Sequence, residues 1–84
     1  MSVNIIYMIK KEFVDRLKTL RTKAGLSQRE IINTLKIGSR SYEHYESENS
    51  KRIPEYKNLI ALASFFNCSI DYLLCQTNNP VRNL

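Results

Sequence analysis

Turn-forming residues are scarce in this 84-residue chain, which contains two glycines and two prolines. An all-β chain would need such residues every ~8–12 positions, so their scarcity argues against a sheet protein. Apolar residues instead recur at helical spacing, and in one segment Phe13, Leu17, Leu20 and Ala24 lie at i, i+4, i+7 and i+11. We therefore predict an all-α fold made of one small domain.

Capping residues divide the chain into five predicted helices. Gly25 is expected to end the first helix, at about residues 11–24, in the left-handed conformation that glycine tolerates best. Ser27 and Glu30 have the spacing of a capping box at the start of the second helix. The other helices are predicted at about residues 39–46, from residue 54 or 55 to 66, and after an N-cap at Ser69. The side chains expected to face the core in these later helices are Ile31, Ile32, Leu35, Tyr42, Tyr45, Leu59, Ile60, Leu62, Ala63, Phe66, Ile70, Leu73 and Leu74.

The two ends of the chain fall outside this pattern. Residues 1–10 are predicted to be an N-terminal extension, either strand or disordered. Their β-branched and aromatic residues favour a strand, although a lone strand would have no partner within the chain. Residues 11–75 form the predicted helical domain, and residues 76–84 are predicted to be a frayed C-terminal tail.

Composition excludes several classes of protein. No apolar run approaches the ~18 residues of a membrane span, and the N-terminus lacks the pattern of a signal peptide, so we expect a cytoplasmic protein. One histidine leaves little material for a catalytic triad or a metal site, so we predict neither an enzyme nor a cofactor, and no small-molecule ligand is evident. Thirteen Lys and Arg against eight Asp and Glu give a net charge of +5, which favours nucleic-acid binding only modestly.

Residues 27–46 read SQREIINTLKIGSRSYEHYE and resemble the lambda-repressor/Cro-type helix-turn-helix family, also called XRE-like. Residues 69–74, SIDYLL, are similar to the ending of the same family pattern, and the resemblance covers about residues 13–75. It implies a compact five-helix lambda-repressor-like DNA-binding domain. The second and third helices would form the helix-turn-helix, and the third would be the recognition helix in the major groove of double-stranded DNA.

Three residues depart from the family pattern. Ile32 replaces a small residue, so the second and third helices should pack farther apart. Lys36 replaces a turn glycine where φ is expected to be positive, at a cost of ~1 kcal/mol. Gly38 replaces an N-cap serine at a smaller cost. The loop between residues 46 and 54 is also longer than usual, so the preferred DNA sequence cannot be copied from a relative.

The N-terminal residues of a recognition helix point at base edges, and here they are Ser39, Arg40 and Ser41. The Arg40 guanidinium can bond guanine O6 and N7 together, the alternatives being a phosphate contact or a solvated side chain. Ser39 and Ser41 can contact a base or a phosphate, or serve only in capping. The full set of candidate DNA-binding residues is Gln28, Arg29, Ser39, Arg40, Ser41, Glu43, His44, Lys51 and Arg52.

Residues outside this helix N-terminus complete the candidate interface. The resemblance implies that Gln28 contacts the DNA backbone and braces the recognition helix, with plain helix initiation as the alternative. Lys51 and Arg52 are expected to contact phosphates or to remain a solvated pair, and His44 to reach the groove or a phosphate. Glu46 is expected to pair with an arginine of the first helix.

The reading that combines these features is a transcriptional regulator, a repressor that binds a palindromic operator as a homodimer. The alternative is an antitoxin or protein-interaction module on the same scaffold. In that case the apolar N-terminal segment would be a strand that binds the partner or forms a dimer.

Overall fold

The computed structural model describes residues 5–82, apart from the side chain of residue 6. Within this range the structure contains five helices and no strand. They are α1 (Ile5–Lys23), α2 (Gln28–Leu35), α3 (Ser39–Tyr45), α4 (Tyr56–Phe65) and α5 (Ile70–Leu73). The predicted all-α, five-helix fold is confirmed.

The N-terminal helix begins earlier than predicted. α1 starts at Ile5, so the predicted extension over residues 1–10, strand or disordered, is wrong for residues 5–10, which are helical, while residues 1–4 lie outside the described part of the chain. Extending an existing helix adds one hydrogen bond per residue without a new nucleation step, whereas a lone strand leaves its backbone groups unpaired. Local β-propensity is therefore overridden by the helix that follows.

Each helix contributes to one hydrophobic core. The fully buried members are Phe13, Leu17, Ile31, Tyr42, Leu62 and Leu73, all 0% exposed. Two of the residues predicted to face the core are exposed: Ala24 lies after the end of α1, and Ile60 is 43% exposed on α4. The partly buried members of the predicted set pack against the core. The core-facing side of α4 was predicted too wide, because Leu62 and Ala63 of the predicted set are buried whereas Ile60 lies on the exposed part of the helix surface.

The predicted helix ends are present in the structure. Ser27 Oγ accepts from the Glu30 N–H at 3.1 Å, and Glu30 Oε1 accepts from the Ser27 N–H at 3.0 Å, which completes the capping box. Lys36 ends α2 with φ +56°, the left-handed conformation expected of a glycine position. Gly38 is the N-cap of α3 and provides no side-chain hydrogen bond.

α5 is attached to α1 and to the C-terminal segment. The Arg16 guanidinium lies 3.9 Å from the centroid of the Tyr72 ring, and its Nη1 donates to the Tyr72 carbonyl at 3.0 Å. The N–H of Ser69, the N-cap of α5, donates to the Pro80 carbonyl at 3.0 Å. The non-helical segment at residues 76–82 therefore packs back onto the fold at this point.

Candidate nucleic-acid interface

A buried carboxylate sets the orientation of α3. Glu46, 4% exposed, follows the last residue of α3. Arg21 of α1 donates to it twice, from Nε at 2.7 Å and from a terminal nitrogen at 3.0 Å. Tyr42 donates its hydroxyl at 2.6 Å and Gln28 its side-chain amide at 3.1 Å. The predicted pairing of Glu46 with an arginine of the first helix is confirmed, and the carboxylate joins α1, α2 and α3.

Hydrogen bonding keeps this carboxylate ionised in spite of its burial. Burial alone would raise the pKa of Glu46, but the hydrogen bonds from Arg21, Tyr42 and Gln28 outweigh it and leave the pKa below its ordinary value. Burial, reinforced by the neighbouring carboxylate, raises the pKa of the Tyr42 hydroxyl, which therefore remains a donor. The cluster is a satisfied buried network that fixes the position of α3 against α1 and α2.

The side chains of α3 divide into an inner and an outer face. Tyr42 and Tyr45 are buried, and their rings meet edge to face with centroids 6.0 Å apart. Ser39, Arg40 and Glu43 are exposed. Because the buried tyrosines hold one face of the helix in the core, the opposite face with Arg40 remains on the surface at the start of the helix.

The loop after α3 is tied to that helix by side chains. His44 Nδ1 lies 2.9 Å from Ser50 Oγ, which also accepts from the Arg52 N–H at 3.1 Å. The Arg52 guanidinium donates to Ser41 Oγ at 3.4 Å. These bonds bring four residues together at one edge of α3, namely Ser41, His44, Ser50 and Arg52. Lys51 is exposed to solvent.

The remaining candidate residues, Gln28 and Arg29, lie in different surroundings. The Gln28 side chain is half-buried and donates to Glu46 at the end of α3, and its role toward DNA stays a prediction. Arg29 is exposed on α2. Sequence reasoning missed Lys10, which is 2% exposed and reaches the loop. The sequence did contain a signal, because Lys10 lies at helical spacing from Phe13 and Leu17. It was missed because residues 1–10 were assigned to the N-terminal extension.

Comparison with known proteins identifies the fold family. The model of the helix-turn-helix domain family matches residues 15–79, more than half of the chain. This chain belongs to that helix-turn-helix family. The match includes α2 and α3, whose capping box, left-handed turn and buried tyrosines have just been described. No solved structure matches this helix-turn-helix domain.

Curated relatives of this domain are transcriptional regulators of Bacillus subtilis (strain 168). It is 41% identical over 68 residues to the HTH-type transcriptional regulator ImmR, a match that covers 81% of this chain and 52% of ImmR. It is 32% identical to the HTH-type regulator YobD, over 81% of this chain and 59% of YobD. It is 36% identical to the prophage-derived HTH-type regulator YonR, over 79% of this chain and 59% of YonR. The chain thus spans between 52% and 59% of the length of these relatives.

The described part of this helix-turn-helix domain contains neither a metal-binding cluster nor a membrane-spanning helix. Residues 5–82, as far as their side chains are described, contain no group of three or more His, Cys, Asp or Glu that could hold a metal ion. In the same range no helix has the length and apolar character needed to cross a membrane. The exposed side of α3 and the loop after it form the candidate nucleic-acid interface.

Proposed function

We propose that this chain is the DNA-binding domain of a transcriptional regulator and that α3 enters the major groove. The observation that carries the proposal is the exposed N-terminal half of α3, held at a fixed angle by the buried Glu46 network. A recognition helix that is already held in place loses little conformational freedom on binding, which favours affinity. The names of the curated relatives support the same function.

We assign each candidate residue a role by its position. Arg40 is proposed to bond a guanine in the major groove, with Ser39 and Ser41 contacting a base or phosphate beside it. Lys51 and Arg52 would contact phosphates along the adjacent backbone. Gln28, Arg29, Glu43 and His44 would line the flanks of this surface.

The finer points of the proposal concern the assembly. One recognition helix reads only a few base pairs, so we propose a homodimer that binds two palindromic half-sites ~34–36 Å apart. Occupancy of a promoter by such a dimer would repress transcription in the cytoplasm without any catalytic step. The antitoxin alternative relied on an extended N-terminal segment, and its described part, residues 5–9, is helical.

Selection of bound sequences from random DNA tests this proposal. We expect one enriched palindrome, whose half-site spacing reports the dimer, and an affinity that falls steeply with salt by ~0.9 log units per neutralised phosphate. No enrichment together with a flat salt response would overturn the proposed function. Stoichiometric recovery of a protein partner with the native chain, without DNA, would favour the alternative.

A single substitution tests the proposed contact between Arg40 and a base. Arg40→Ala should cost about 1–3 kcal/mol of binding energy and relax the preference at one base pair. Lys57→Ala, which removes an exposed cation of α4 outside the candidate set, is the matched control and should leave that preference unchanged. Equal weakening on every sequence would assign Arg40 to phosphate instead.

A further inference from the structure

Lys10 is a buried cation that the helix-turn-helix itself does not account for. It lies on α1 and is 2% exposed. Its ammonium donates to the carbonyl oxygen of His44 at 2.7 Å and also to the carbonyl oxygen of Arg52. An ammonium is costly to remove from water unless it is hydrogen-bonded, so these two carbonyls stabilise its buried position.

The first carbonyl belongs to the end of the recognition helix. His44 lies in the last turn of α3, where backbone carbonyls carry partial negative charge, and its carbonyl oxygen also accepts from the Ser47 N–H at 3.2 Å. The Lys10 ammonium therefore caps α3 from a different helix. This contact couples the position of α1 to the C-terminal end of α3.

The second carbonyl belongs to a residue proposed to contact DNA. The Arg52 carbonyl is held by Lys10, and its N–H donates to Ser50 Oγ at 3.1 Å. With both backbone groups held, the guanidinium lies beside α3 and donates to Ser41 Oγ at 3.4 Å. We call the set Lys10, His44, Ser50 and Arg52 the loop latch.

The charges of the loop latch favour an anion. Burial lowers the pKa of Lys10, and the positive charge of Arg52 lowers it further, so the two cations repel each other across the latch. A phosphate bound to the exposed Arg52 guanidinium would offset this repulsion. Arginine also bonds phosphate oxygens in pairs, which suits it to this contact.

We propose that Lys10 is a positioning residue for DNA binding, which through the loop latch holds the Arg52 guanidinium beside α3 for contact with one DNA phosphate. This inference rests on the proposed function above. Lys10 does not itself touch DNA in this arrangement, because its ammonium is enclosed between the two carbonyls.

The test compares Lys10→Met with Lys11→Met in the full chain. Methionine keeps much of the apolar length of lysine without its charge, and Lys11 is the exposed neighbour that pairs with Glu48 at 3.6 Å. The probes are a duplex with the selected sequence and a scrambled duplex of the same composition. For Lys10→Met we expect roughly tenfold weaker binding to both duplexes, because the charged hydrogen bond between Arg52 and a DNA phosphate would be lost. The salt slope should decrease by ~0.9 per bound chain, and Lys11→Met should keep the wild-type slope.

A double substitution separates positioning from general destabilisation. If Lys10 acts through Arg52, then Lys10→Met combined with Arg52→Ala binds as weakly as Arg52→Ala alone. Additive losses, or an unchanged salt slope in folded Lys10→Met, would overturn the proposal. If Lys10→Met does not fold, Ser50→Ala decides the matter, since it removes the acceptor of the Arg52 N–H. Uniform weakening with a smaller slope then supports the latch, and wild-type binding overturns it.

The same measurements distinguish failure of the proposed function from failure of the loop latch. Failure of the wild-type chain to bind either duplex would overturn the proposed function and the latch with it. Wild-type binding that persists unchanged in the latch variants overturns the latch alone.

Discussion

Removing the guanidinium of Arg21 tests whether the buried Glu46 carboxylate organises the fold. The Glu46 side chain is 1% exposed. In Arg21→Met its carboxylate loses two of its four hydrogen bonds and also the positive charge of Arg21 that pairs with it. Tyr42 and Gln28 remain as donors. The Leu26 carbonyl also loses the bond that Arg21 donates at 2.9 Å.

The size of the effect follows from burial. Breaking a buried ion pair by removing one partner costs about 3–5 kcal/mol, since the other charge stays desolvated. The two remaining donors, together with an Arg21 side chain that is 15% exposed, place the loss near the lower end of that range. For a domain of this size, a loss of about 3 kcal/mol corresponds to a fall in Tm of roughly 12–24 °C.

Urea unfolding followed by circular dichroism, together with a thermal melt, measures this loss. Lys18→Met is the matched control, because Lys18 is an exposed cation on the same helix, and it should change the free energy of unfolding by less than ~0.5 kcal/mol. A loss below about 1 kcal/mol in Arg21→Met, the range of an exposed pair, would refute the reasoning.

Three further predictions concern helix ends and pH. Lys36→Gly should raise the free energy of unfolding by about 1 kcal/mol in urea titration, because φ +56° suits glycine, and an unchanged or lower value would contradict this. Ser27→Ala should lower it by ~1 kcal/mol in the same assay, through loss of the cap, with Ser39→Ala as a control outside that cap. The lowered pKa of Glu46 means that its ionised form stabilises the fold above the ordinary value of 4.5, and this contribution is lost as pH falls through the folded-state pKa. The stability difference between wild type and Glu46→Gln should therefore shrink in acid unfolding series below pH 4.5, and a constant difference would disprove the linkage.

Local signals predicted α2 and its ends because their causes lie within a few residues. The capping box joins Ser27 to Glu30, three positions apart, and the left-handed turn at Lys36 follows directly from the end of α2. Both could be read from sequence alone. The burial of Tyr42 and Tyr45 was also predictable, since their spacing places them on one face of a short helix.

Other features were not predicted because local sequence patterns do not show them. The start of α1 was misplaced because Val3, Ile5 and Tyr7 have strand propensity, and local propensity does not show that the following helix extends through Ile5. The partner of Gln28 is Glu46, 18 positions away. Among the candidate site residues, the exposed positions of Arg29 and Arg40 agree with a surface role, and their DNA contacts stay predictions.

The sequence by itself determined the class of fold and the location of α3. Both depend on periodicity, capping and turn chemistry, which act over one or two helical turns. Only the tertiary structure decided that Lys10 lies beneath the loop after α3 and contacts residues 34 and 42 positions away. Such contacts are not encoded in any local pattern, because they join distant segments whose closure costs chain entropy that the packed core offsets.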